Sequence, residues 1–191
     1  MLAGCGGSSS PSKSTASQPN QQVSKATVAS KGTSKKPHLP HDELVEISSP
    51  AFAPQEDIPV RYTCDGANVS PPLSWKGIPP GTAELALYVI KIKPEGEHLT
   101  YPWAVAGINP KLHGLQPGKL PAGAVVGLNS DGTAGYNLCP PKGTDEEYVI
   151  VLFALPRSLH PAPNFDPTAQ RAKIISHADY QGFLVFKFPR H

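Results

Sequence analysis

The chain has 191 residues, enough for one domain with a sizeable core or one domain and a tail. Its 23 prolines are more than twice an average share, which calls for loops, turns and an unstructured portion. Lys13, Lys25, Lys31, Lys35 and Lys36 precede the first acidic residue, Asp42, leaving 12 basic against 15 acidic residues beyond it. The remainder is mildly acidic despite the formal net charge of +2, and this distribution argues against a nucleic-acid partner.

The opening Met1-Leu2-Ala3-Gly4-Cys5 resembles the bacterial lipobox, the end of a signal peptide at which cleavage leaves a lipidated cysteine. The charged and apolar stretches that precede such a box are not in the sequence, so the start is read as assigned late or trimmed. Residues 1–5 are accordingly the end of a lipoprotein signal, with Cys5 the lipidated residue and the product exported and lipid-anchored to a membrane of the envelope. No other apolar run is long enough to span a bilayer. Residues 6–43 are rich in Ser, Thr, Gln, Lys and Pro without hydrophobic periodicity. Such a segment buries too little apolar surface to offset its ordering entropy and reads as a disordered tether, its ends about 30–35 Å apart. Its His38 and His41 make a poor metal site, having no third ligand type nearby.

Beyond it, residues 44–191 form the domain. Ile47–Phe52 reads as a short edge strand, and Ile58–Thr63 alternates as a half-buried strand should. Pro79-Pro80-Gly81 is a turn, followed by a long apolar run over Glu84–Ile92 that predicts a central strand. Trp103–Ile108 and Glu147–Leu155 are further buried strands. Asp166 and Pro167 begin the one good helix, carried by Ala169–Ala178 with Ala172, Ile175 and Ala178 on its apolar face. Gly182 breaks the chain before a last alternating strand, Phe183–Phe188. The fold class is mainly β: an antiparallel two-sheet sandwich with one or two short peripheral helices.

Two loop stretches stand out. The first is Tyr62-Thr63-Cys64-Asp65-Gly66-Ala67-Asn68-Val69-Ser70-Pro71-Pro72-Leu73-Ser74-Trp75, and the second is Gly135-Tyr136-Asn137-Leu138-Cys139-Pro140-Pro141-Lys142-Gly143. Asp-Gly favours a turn, and each double proline fixes two φ angles and removes two backbone donors. Taken alone they are tight turns closing hairpins, or rigid walls of a small pocket. Their motifs and order resemble the phosphatidylethanolamine-binding protein family, in its bacterial Raf-kinase-inhibitor-like branch. The resemblance covers about residues 44–189 and implies a two-sheet fold with a small anion-binding pocket beside the Pro-Pro loop. It carries Asp65, Pro71, Pro72, Trp75, Trp103, Tyr136, Pro140, Pro141 and Tyr148 over as pocket residues.

At three points the chain departs from the family pattern. Lys91 and Lys93 replace two carboxylates, Pro102-Trp103 replaces a His-Trp pair, and Glu146-Glu147-Tyr148 replaces a His-x-Tyr. One reading is a scaffold that has lost its anion site. The other is an exchange of charge: Lys91 and Lys93, two apart on a strand and so on one face, supply the positive charge, with Glu146 pairing one of them. Lysine stays charged well above pH 7, so binding through it changes little between pH 6 and 8.

With Cys5 lipidated, Cys64 and Cys139 remain, one in each loop. An oxidising compartment permits a disulfide between them, and two thiols that never meet is the alternative. The sequence holds no nucleophile elbow, phosphate-binding glycine loop, paired-histidine zinc signature or Cys-x-x-Cys, and His98 and His113 read as surface residues. No catalytic residue, metal or cofactor is assigned. The expectation is non-enzymatic binding of a small anion or phospholipid head group at the envelope. The alternatives are a protein partner, as an inhibitor of a protease or kinase acting through loops such as residues 95–101, and an unrecognised hydrolase.

Overall fold

In the strand Glu84–Lys91 (β3) the first seven residues are buried, as expected of an apolar run covered on both faces. In the computed structural model, which describes residues 45–94 and 96–191, β3 is the middle of a five-stranded antiparallel sheet. Cys5, the tether over 6–43 with His38 and His41, and Glu95 lie outside the described residues. One neighbour of β3 is Trp103–Ile108 (β4), itself flanked by Val125–Val126 (β6). The other is Thr144–Leu155 (β7), paired in turn with Tyr180–Arg190 (β8). A three-stranded sheet packs Glu46–Ser48 (β1), Leu73–Lys76 (β2) and Gly114–Leu115 (β5) in the order β1-β2-β5.

Alternation along the strands separates two cores. Leu85, Leu87 and Val89 of β3 lie with Val105, Ile150, Leu152, Leu184 and Phe186 in the core shared with the small sheet. Ala86, Tyr88 and Ile90 face the other way, with Phe153 and Ile174. Ile174 belongs to the helix Pro167–His177 (α1), which covers part of that face. Burying such a side chain is worth roughly 1.5–3 kcal/mol. Glu84, only 2 % exposed, is satisfied by two backbone donors, the amides of Gly107 and Leu159, each 3.0 Å from its carboxylate. Among the described residues no helix is long and apolar enough to cross a membrane.

The mainly β sandwich with one α-helix matches the sequence expectation, as do the turn at Pro79-Pro80-Gly81, the central β3 and the strand β4. The cap is also as expected, with Asp166 Oδ1 accepting from the amides of Thr168 and Ala169. Four local expectations fail. Ile58–Thr63 is not a strand: Val60–Tyr62 is a single 3-10 turn, closed by Tyr62 N–H to the Pro59 carbonyl and Thr63 N–H to that of Val60. The Thr63 hydroxyl also donates to the Val60 carbonyl, so local bonds outcompete a ladder. The first strand ends at Ser48, because the Ser49 hydroxyl turns the chain by accepting from Ala51 N–H and donating to the Pro72 carbonyl.

The buried face of α1 carries Gln170 and Ile174, whereas Ala172 and Ile175 are exposed. A helix this weakly amphipathic takes its orientation from the sheet it covers. Gly182, read as a breaker, lies inside β8. It is needed there because a Cβ would sit 2.1 Å from the Val45 carbonyl oxygen.

Candidate functional site

The ends of three neighbouring strands converge with the two loops on a cleft of about 410 Å³. Antiparallel register places Lys91, at the end of β3, opposite Tyr148 of β7. The same register on the far side of β7 brings Arg190, near the end of β8, opposite Thr144. All three of Lys91, Tyr148 and Arg190 line the cleft, together with Thr100, Pro102, Ser130, Asp131, Asn137 and the Cys139-Pro140-Pro141 turn.

The loops are fastened to each other by a disulfide, by hydrogen bonds and through Arg190. Cys64 and Cys139 form a disulfide, so of the two alternatives open in the sequence the bonded one holds. The closed loop spans a sequence separation of 75, for which loop entropy gives about 4 kcal/mol of stabilisation. Asn68 Nδ2 donates to Asn137 Oδ1 at 2.7 Å, and Asn68 Oδ1 accepts from Leu138 N–H at 3.2 Å. Asn137 Nδ2 then donates to Asp131 Oδ2 at 2.6 Å. A further tie runs through Arg190, whose Nη2 and Nε lie 2.8 and 3.1 Å from the Asp65 carboxylate. Its Nη1 donates to the Pro140 carbonyl and lies 3.4 Å from Cys139 Sγ.

Aromatic packing stiffens the floor. Tyr148 stacks on Phe186 with centroids 5.4 Å apart, and Trp103 meets Tyr136 edge to face at 5.7 Å. The Tyr136 hydroxyl donates to the Tyr62 carbonyl at 2.6 Å. Burial pushes both phenols above their ordinary pKa, Tyr136 with a further contribution from Tyr148 and Tyr148 with one from Glu146. Tyr148 thus lines the cleft as a phenol that keeps its proton.

The sequence-predicted residues divide accordingly. Lys91, Tyr148, Pro140 and Pro141 line the cleft. Asp65 and Glu146 stand behind it, each holding a cation: Glu146 is 2.5 Å from Lys91 Nζ. Trp103 and Tyr136 pack against each other and do not line the cleft, and Trp75 lies in the small sheet opposite Ile47, its indole N–H bonded to the Leu112 carbonyl. Pro71 and Pro72 lead into β2 and do not line the cleft. Lys93 lies just past the end of β3 and is not among the residues lining the cleft; it pairs with Glu97 at 3.7 Å. Arg190, Asn137 and Ser130 are cleft residues that the sequence reading does not find. A lone arginine at the end of the final strand has no motif around it. Asn68 and Asn137 lie inside the two quoted stretches, but only the fold shows them facing each other. Among the described residues no cluster of three or more His, Cys, Asp or Glu is placed to hold a metal.

A family model described as phosphatidylethanolamine-binding protein matches residues 48–183. The protein named "Putative lipoprotein LppC" from Mycobacterium tuberculosis H37Rv is 38% identical over 189 residues, 98% of this chain and 89% of its own length. A UPF0098 protein of Methanothermobacter thermautotrophicus is 39% identical over 137 residues, 69% of this chain and 87% of that one. Among solved structures, a PEBP homologue from Chlamydia trachomatis, CT736, superposes with a TM-score of 0.71 at 25% identity, covering 78% of this chain and 99% of that one. YbcL of E. coli, described as a member of the mammalian PEBP family, gives 0.70 at 25% identity, covering 77% and 99%. With a family model matched over most of the domain and the same two-sheet architecture, the chain belongs to the phosphatidylethanolamine-binding protein family.

Proposed function

We propose that this protein is a lipid-anchored envelope protein that binds a small anionic, phosphate-type group in its cleft without chemically changing it. The observation that carries this reading is the pair Lys91 and Arg190, two cations lining one cleft with Tyr148. A phosphate or phospholipid head group needs hydrogen-bond donors and positive charge at close quarters. Ser130, Thr100 and Asn137 add polar groups to the same lining. The flanking carboxylates Glu146 and Asp65 hold the cations in place from behind, which lowers the ordering cost of binding. In this reading the positive charge comes from Lys91 and Arg190, with Lys93 outside. Anchoring through Cys5 is supported by the lipobox-like start and by the likeness to the protein named as a lipoprotein, which extends over 98% of this chain.

The test is calorimetric titration with phosphate and with O-phosphorylethanolamine. Saturable binding is expected, weakened at least tenfold by Lys91→Ala and unchanged by Lys93→Ala. No heat up to millimolar ligand would overturn the reading and turn the search to protein partners. For the anchor, detergent-phase partitioning of the protein expressed with its export signal should be lost in Cys5→Ala.

A further inference from the structure

We propose that the Cys64–Cys139 disulfide is a thiol-exchange site, reached through the cleft by low-molecular-weight thiols that carry an additional negative charge. Cys139 is exposed and lines the cleft, whereas Cys64 is half-buried and its N–H is bonded to the Leu138 carbonyl. A disulfide that served only as a staple could lie anywhere in the fold; this one has Cys139 in the lining of a space large enough for a small molecule. Beside that sulfur, 3.4 Å away, is Arg190 Nη1, and Lys91 faces the same space. Exchange proceeds by attack of a thiolate on a disulfide sulfur, so fixed positive charge at the attacked atom gathers the reacting species. A carboxylate elsewhere on the thiol adds a second contact with Lys91 and Arg190, which Glu146 and Asp65 hold in place, and selects for it.

The step balances without any other reagent. The incoming thiolate forms a bond to Cys139 Sγ, the Cys64–Cys139 bond breaks, and Cys64 leaves with the electron pair as a thiolate. That thiolate takes a proton from solvent or attacks Cys139 again and expels the thiol. A second equivalent of thiol converts the mixed disulfide to the free Cys139 thiol and releases the oxidised thiol dimer. The fold tolerates the opening because other ties join the same loops: Asn68 to Asn137, the Tyr136 hydroxyl to the Tyr62 carbonyl, and Arg190 to Asp65 and the Pro140 carbonyl. In the mixed disulfide the bound thiol occupies the cleft itself.

The proposal rests on the same two cations as the anion reading but not on phosphate affinity. It is tested on the full chain carrying Cys5→Ser, in which Cys64 and Cys139 are the remaining cysteines of three. Exchange rates are compared for mercaptoacetate and 2-mercaptoethanol at equal thiolate concentration, each divided by that thiol's rate with a neutral small-molecule disulfide. The charged thiol should be favoured by about fivefold at low salt, the worth of one added charge pair at contact. The preference should fall with salt, vanish in Arg190→Gln, return in Arg190→Lys and persist in Lys93→Ala. Trapping with iodoacetamide followed by peptide mapping should find the thiol on Cys139 and the alkyl group on Cys64. Equal normalised rates, or an adduct on Cys64, would overturn the proposal. A thiol preference without phosphate binding defeats the anion reading alone, and phosphate binding without the preference defeats this one alone.

Discussion

Arg190 reaches back 125 positions to Asp65 and holds its carboxylate with both Nε and Nη2, while Nη1 bonds the Pro140 carbonyl. One guanidinium thus ties the end of the last strand to both cleft loops. The fork geometry suits arginine and not lysine. Arg190 is 13% exposed and Asp65 37%, so solvent screens part of the pair. Arg190→Ala should lower the free energy of unfolding by about 1–2 kcal/mol in urea denaturation. A double-mutant cycle with Asp65→Asn should show positive coupling, and strictly additive effects would mean that the two residues act separately.

Much of the architecture is legible in the sequence because it depends on hydrophobic pattern. The run Leu85–Ile90 is apolar apart from the Tyr88 hydroxyl, which suits a strand covered on both faces, and β3 is that strand. The cap at Asp166 is equally local. What is not legible depends on competition or on distance. Ile58–Thr63 alternates like a strand, yet Pro59 and the Thr63 hydroxyl favour a 3-10 turn. The site shows the same split. Lys91 and Tyr148 fall beside each other by register, while Arg190 enters the cleft only through the pairing of β8 with β7.

Gly182 gives a second prediction. A Cβ at this position would meet the Val45 carbonyl oxygen at 2.1 Å and its carbon at 3.0 Å, both backbone atoms that cannot rotate away. Gly182→Ala must therefore push β8 and residue 45 apart. The expected cost is about 1–3 kcal/mol, read as a lower Tm with native-like circular dichroism. An unchanged Tm would mean that the chain around Val45 moves freely.

Three of the six tyrosines, Tyr88, Tyr136 and Tyr148, are held above the ordinary phenol pKa, in each case chiefly by burial. A phenol raised in the folded state keeps more protons folded than unfolded above pH 10, so stability falls as pH rises past that value. Below it these groups contribute their full stabilisation. Absorbance titration at 295 nm should accordingly show part of the phenol signal, that of Tyr88, Tyr136 and Tyr148, appearing only together with unfolding. The full phenol signal developing near pH 10 with native circular dichroism would contradict the burial of these three.

Asn68 combines an unusual backbone with a directional side chain. Its φ is +48°, a region costly for residues other than glycine and tolerated by asparagine. Its amide begins a chain that runs from Asn68 Nδ2 to Asn137 Oδ1 and from Asn137 Nδ2 to the Asp131 carboxylate. That carboxylate fixes the direction, because it can only accept. Asn68→Ala leaves the Leu138 N–H and Asn137 Oδ1 without partners and adds backbone strain, at an expected cost of about 2–4 kcal/mol. Asn68→Gly relieves the strain alone and should recover about 1 kcal/mol of it. Asn68→Asp is the sharper probe. At neutral pH the new carboxylate opposes Asn137 Oδ1, and turning the Asn137 amide over would only set that oxygen against Asp131. Protonation of the new side chain restores a donor, so the stability gap to the unsubstituted protein should narrow as pH falls towards 4. A gap independent of pH would show that the chain of amides does not run in this direction.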